Sequence, residues 1–91
     1  MIEPSAFGLL LRDKRTQAQL TQGQLAEAIG KTSQYIHNIE KGLNNAPSKQ
    51  DDLERIVNVL NLDDPDKRRF FEAAAADRGT LPKKQIDYIS W

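Results

Sequence analysis

The chain has 91 residues and a mass of 10.3 kDa, which bounds it to one small domain near the lower size at which a core sustains itself. Hydrophobic residues make up 38% and charged residues 29%, a balance that suits a helical, water-compatible chain and excludes wholesale disorder. With no cysteine there is no disulfide, thiolate metal site or thiol nucleophile, and 13 basic against 13 acidic residues give a net charge of zero, which does not favour a nucleic-acid binder.

Taken in chain order, the pattern predicts helices and no strands, because no β-branched alternation of period two occurs. A first helix is expected from about Pro4 or Ser5 to Ala18, with Phe7, Leu11 and Ala18 along one face. Thr21 and Gln24 have the spacing of a capping box at the start of a second helix, whose apolar residues are Leu25, Ala26 and Ile29 and whose end is Gly30. Thr32 is the expected N-cap of a third helix that buries Ile36 and Ile39 and stops at Gly42. Residues 43–47 read as a loop. Ser48 is the expected cap of a fourth helix with Leu53, Ile56, Val57 and Leu60 as its stripe. Asp64-Pro65 reads as an N-cap and first-turn proline opening a fifth helix to about Asp77, ended by Gly79, and Pro82 as the start of a short sixth.

No apolar run approaches a membrane span, and Met1-Ile2-Glu3-Pro4 does not begin a signal peptide, so the expected location is cytoplasmic and no membrane partner is expected. No nucleophile–base pair, phosphate loop or metal cluster is recognisable, so neither an enzyme, a cofactor nor a metal is expected. The single histidine, His37, lacks partners at ligand spacing.

Two short helices joined by a glycine-containing turn, TQGQLAEAIGKTSQYIHNIEKG over residues 21–42, have the geometry of a helix-turn-helix. Thr21-Gln22, Leu25-Ala26, Gly30, Ile36 and Glu40-x-Gly42, with Arg15 upstream, resemble the Cro and lambda-repressor type, or xenobiotic-response-element (XRE), family over about Phe7 to Leu62. The resemblance implies an all-α, five-helix lambda-repressor-like DNA-binding domain. The expected division is a DNA-binding core at 1–62 and a C-terminal helical extension at 63–91. It also implies that Arg15 and Glu40 form a structural ion pair, and that Gln22 clamps the DNA backbone and braces Gln34.

Within such a motif the third helix would enter the major groove, a geometry for which this family is the standing example. Its first turn offers Ser33, Gln34 and Tyr35, with Asn38 one turn later. Gln and Asn each donate and accept, matching the N6/N7 edge of adenine; Ser33 suits a base or a phosphate, and Tyr35 a phosphate or a thymine methyl. Gln22, Lys31, Thr32, His37, Lys41, Asn44, Asn45 and Ser48 are the expected backbone contacts, which position without specifying sequence. Relatives often place a base in the loop before the fourth helix to reach the minor groove. Asn45 and Ser48 stand there instead. Residues 1–49 carry six Lys or Arg against four Asp or Glu, and residues 50–91 seven against nine, a segregation of the right sign but small.

Phe70, Phe71, Leu81, Ile86, Tyr88, Ile89 and Trp91 give residues 63–91 more apolar surface than they can bury on themselves. They either pack back on the first and fourth helices, form a twofold dimer joined by Leu9 and Leu10, or bind another protein. The favoured expectation is a homodimeric repressor of an inverted repeat, with two recognition helices about 34 Å apart. The alternatives are an antitoxin, a role this family often fills, whose extension binds a toxin, and an interaction module that does not read DNA.

Overall fold

A computed structural model describes residues 5–89, with side chains described for residues 5–77. Five helices follow one another: α1 Ala6–Gln17, α2 Gln22–Ala28, α3 Ser33–Glu40, α4 Gln50–Leu60 and α5 Asp64–Ile89. Among the described residues there is no strand, as the period of the apolar pattern requires.

Each start has a chemical cause. Ser5 Oγ accepts the Gly8 amide at 3.0 Å, so α1 begins at Ala6, and Ser5 is its cap, not its first residue. Thr21 and Gln24 exchange reciprocal bonds at the start of α2, at 3.0 and 2.9 Å. Thr32 Oγ1 accepts the Tyr35 amide at 3.1 Å, starting α3. The expected cap of α4 is corrected: the N-cap is Lys49, without a side-chain bond, and the first turn carries Asp51 and Asp52 against the positive end of the helix dipole. The cap of α5 likewise moves back one residue, to Asp63, whose Oδ1 accepts the Asp66 amide at 3.0 Å.

The helix ends share one device. After α2 and α3, the amides of Lys31 and Leu43 return to the carbonyls of Ala26 and Asn38, both at 2.8 Å, around Gly30 and Gly42 at φ 74° and 81°. The same pair of bonds closes α1 and α4, but around Gln19 (φ 62°) and Asn61 (φ 55°). Those two stops carry no glycine.

The core joins all five helices. Phe7, Leu11, Leu25, Ala26, Ile29, Ile36, Ile39, Leu53, Ile56, Val57 and Leu60 are buried as their periodicity predicts, whereas Ala18 is exposed. Ala46, Pro47, Phe70 and Ala74 are buried with them. Phe70 meets Phe7 at a centroid distance of 4.7 Å and a tilt of 55°, and Lys14 pairs with Asp66 at 3.0 Å, so the start of α5 is fastened to α1. The core therefore does not stop at residue 62. Phe71 and Ala73 are also packed against it, as is Leu10, while Leu9 is exposed.

The expected break at Gly79 and the separate helix from Pro82 are also corrected, since α5 continues through both. Proline in a helix removes one hydrogen bond and glycine lowers propensity, but neither residue ends a helix by itself. The expectations for the side chains of Leu81, Ile86, Tyr88 and Ile89, and for Pro4 and Trp91, lie outside the described residues.

Gly8 fixes how close α1 comes to α3. A Cβ there would lie 2.5 Å from the Ile39 carbonyl oxygen and 3.2 Å from that of Glu40. The end of α3 thus rests directly on the α1 backbone.

Candidate nucleic-acid interface

Helices α2 and α3 pack through Leu25, Ala26, Ile29, Ile36 and Ile39, and the 1–2% exposure of Ala26 and Ile29 leaves no slack in the turn between them. The end of α3 is locked electrostatically. Arg15 Nε and Nη2 donate to the two carboxylate oxygens of Glu40 at 2.7 and 3.0 Å, and Nη1 donates to the Leu20 carbonyl at 2.7 Å. Gln22 Nε2 donates to Glu40 Oε1 at 3.0 Å. One buried carboxylate therefore ties α1, the start of α2 and the end of α3 together.

That arrangement corrects the expected brace from Gln22 to Gln34. The Gln22 amide is spent on Glu40, a nearby buried charge, which is a stronger acceptor than a neutral amide. Gln34 instead donates from Nε2 to Asn38 Oδ1 at 2.8 Å, one turn along α3. The bond leaves the Gln34 carbonyl and the Asn38 amino group unspent, an acceptor and a donor on one helix face. Gln34 and Ser33 are exposed, and Asn38 is half-buried.

Tyr35 is not presented outward as expected. Its ring is half-buried against the core, with Lys31 Nζ 5.3 Å from its centroid. Burial, and then the charge of Asp52, push its phenol above the ordinary value. Lys31 lies 3.6 Å from the Asp52 carboxylate, so its charge is partly taken up by α4. Thr32 spends its hydroxyl on the cap of α3, and His37 is half-buried rather than on the open side. Lys41, Asn44, Asn45 and Ser48 are exposed.

Arg12 was not singled out by the sequence pattern. It lines a cleft of about 160 Å³ with Arg15, Gln22, Glu40 and Lys41. Arg12 and Lys41 are exposed, and neither makes an ion pair among the described residues. Two cations beside the start of α2 make an anion-attracting rim. Its only hint in the sequence is the three-residue spacing of Arg12 and Arg15, which puts both on adjoining parts of α1.

A family model described as a helix-turn-helix domain matches residues 6–70, ending at the phenylalanine that packs against Phe7. The chain belongs to this helix-turn-helix family. It is of the XRE-like type that the motif residues resemble. This helix-turn-helix chain is 36% identical over 63 residues to the ImmF control region 10 kDa protein of Bacillus phage phi105, covering 69% of this chain and 68% of that one. It is 33% identical over 86 residues, 94% of its length, to a protein of Pyrobaculum aerophilum that carries the name HTH-type transcriptional regulatory protein. There it spans 34% of the relative's length, about a third.

Proposed function

We propose that this chain is a homodimeric repressor that reads an inverted repeat through α3, a finer form of the DNA-binding transcriptional regulator that its family makes it. The observation that carries the reading is the amide pair of exposed Gln34 and half-buried Asn38 on a helix whose far end is fixed by the Glu40 bonds. A donor and an acceptor held at fixed spacing suit the N6/N7 edge of adenine, and a rigid mount turns that chemistry into discrimination of about 1–3 kcal/mol per base. Ser33 reads the neighbouring base. Arg12, Lys41, Asn44, Asn45 and Ser48 contact phosphates, and Gln22 does so through the second hydrogen of the amide whose first is donated to Glu40.

Dimerisation supplies the second half-site, and the exposed Leu9 with the apolar residues after Asp77 is the proposed contact. Occlusion of a promoter by such a dimer needs no further domain, and the site of action is cytoplasmic. Among the described residues no helix is long and apolar enough to cross a membrane.

Selection of bound sequences from random double-stranded DNA tests the reading, with light scattering to give the oligomeric state. A palindrome with adenines at symmetric positions is expected, bound by two chains. Absence of enrichment at low salt overturns the DNA reading. Enrichment of a single half-site by a monomer overturns the dimer.

A further inference from the structure

The loop between α3 and α4 carries Asn44, Asn45 and Ser48, so its shape decides where those residues meet a duplex. It is held at two places. Near its start, the amides of Leu43 and Asn44 donate to the Asn38 carbonyl at 2.8 and 3.2 Å. At its middle, the amide of Ala46 donates to Asp77 Oδ2 at 2.6 Å, a residue on α5 and 31 positions further on. Ala46 and Pro47 are buried there, while Asn45 and Ser48 on either side are exposed.

A buried amide needs an acceptor, and a carboxylate is a stronger one than a carbonyl. Pro47 disfavours a helical conformation at Ala46, and an earlier start of α4 would in any case leave that amide among the unbonded N–H groups of a first helical turn. Asp77 is otherwise ill-suited to its place. Aspartate is a weak helix former inside a helix, and a negative charge behind a phosphate-facing loop opposes binding. The bond to Ala46 is what its position provides.

We propose that Asp77 is a positioning residue for DNA binding, holding the loop of Asn44, Asn45 and Ser48 in its phosphate-facing shape. The proposal rests on the DNA-binding reading above. It makes α5 a support of the interface as well as of the core.

The test uses the full chain with Asp77→Ala and Asp77→Asn. Amide hydrogen exchange of Ala46 is measured in the free protein, and affinity for the selected palindrome well below the melting temperature. Asp77→Ala is expected to speed Ala46 exchange and weaken binding, each by about tenfold. Asp77→Asn keeps an oxygen acceptor and is expected to restore most of both. The weakening is expected to be uniform across operator variants, because the loop's contacts go to phosphates. If Asp77→Ala does not fold, Asp77→Ser replaces it, since its hydroxyl sits one bond short of Ala46. Unchanged Ala46 exchange overturns the proposal, and so does undiminished affinity once that amide is freed. If the wild type enriches no sequence, the regulator reading fails and the DNA role of Asp77 with it. Exchange in the free protein separately decides whether the bond orders the loop.

Discussion

Glu40 is 4% exposed and accepts bonds from Arg15 and Gln22, so its charge is solvated entirely by protein. Removing one side of a buried ion pair strands the other at a cost of about 3–5 kcal/mol. Glu40→Ala is therefore expected to destabilise the fold by that order in urea denaturation, whereas Glu40→Gln, which keeps an acceptor for Gln22, loses less. A wild-type melting temperature in Glu40→Ala would reject the locking role. Tyr35 gives a pH signature of its own. Its native pKa lies above the reference 10.0, so protonated Tyr35 favours the folded state; that contribution is whole below pH 10 and is lost as pH rises through the native pKa. Stability is expected to fall above pH 10, and Tyr35→Phe to flatten that fall. Equal slopes in the two proteins would show that the raised phenol has no effect on folding.

The helices show why some elements were legible and others were not. Capping is local chemistry within four residues, so Thr21, Gln24, Thr32, Gly30 and Gly42 could be read directly. Gln19 and Asn61 perform the same turn without announcing it, because the hydrogen bonds and the packing of Leu20 and Leu62 override the residue's own preference. Gly8, Asp77 and the inward turn of Gln22 were illegible for a different reason. Each depends on a contact far away in sequence, Gln22 to Glu40 across 18 residues and Ala46 to Asp77 across 31. The pairing of Arg15 with Glu40 was available only through the family resemblance. Gln19 also yields a test at this scale. A left-handed conformation costs a non-glycine residue about 1 kcal/mol, part of which glycine returns through the entropy of its unfolded chain. Gln19→Gly is expected to stabilise by about 0.5 kcal/mol, read as a higher urea midpoint at unchanged slope. A lower midpoint would mean that Gln19 makes a compensating contact.

Across the whole molecule, the zero net charge conceals how the cations are spent. Lys14 is paired with Asp66, Arg15 with Glu40 and Lys31 with Asp52, so three of the bases nearest the helix-turn-helix serve the fold. Arg12 and Lys41 remain exposed beside Gln22, and Lys49 is exposed where α4 begins. If those residues neutralise two or three phosphates per chain, a dimer releases counterions from about four to six, and the log–log dependence of affinity on salt has a slope of about −4 to −5. Titration of the selected palindrome over a range of salt concentrations measures that slope directly. Arg12→Ala and Lys41→Ala are each expected to make it shallower by about two per dimer while leaving base preference alone. Gln34→Ala is expected to do the reverse, relaxing one base pair per half-site at an unchanged slope. A wild-type slope near −10 would require cations beyond Arg12, Lys41 and Lys49 to reach phosphates, and would show that the Arg12–Lys41 rim is not the main electrostatic contact.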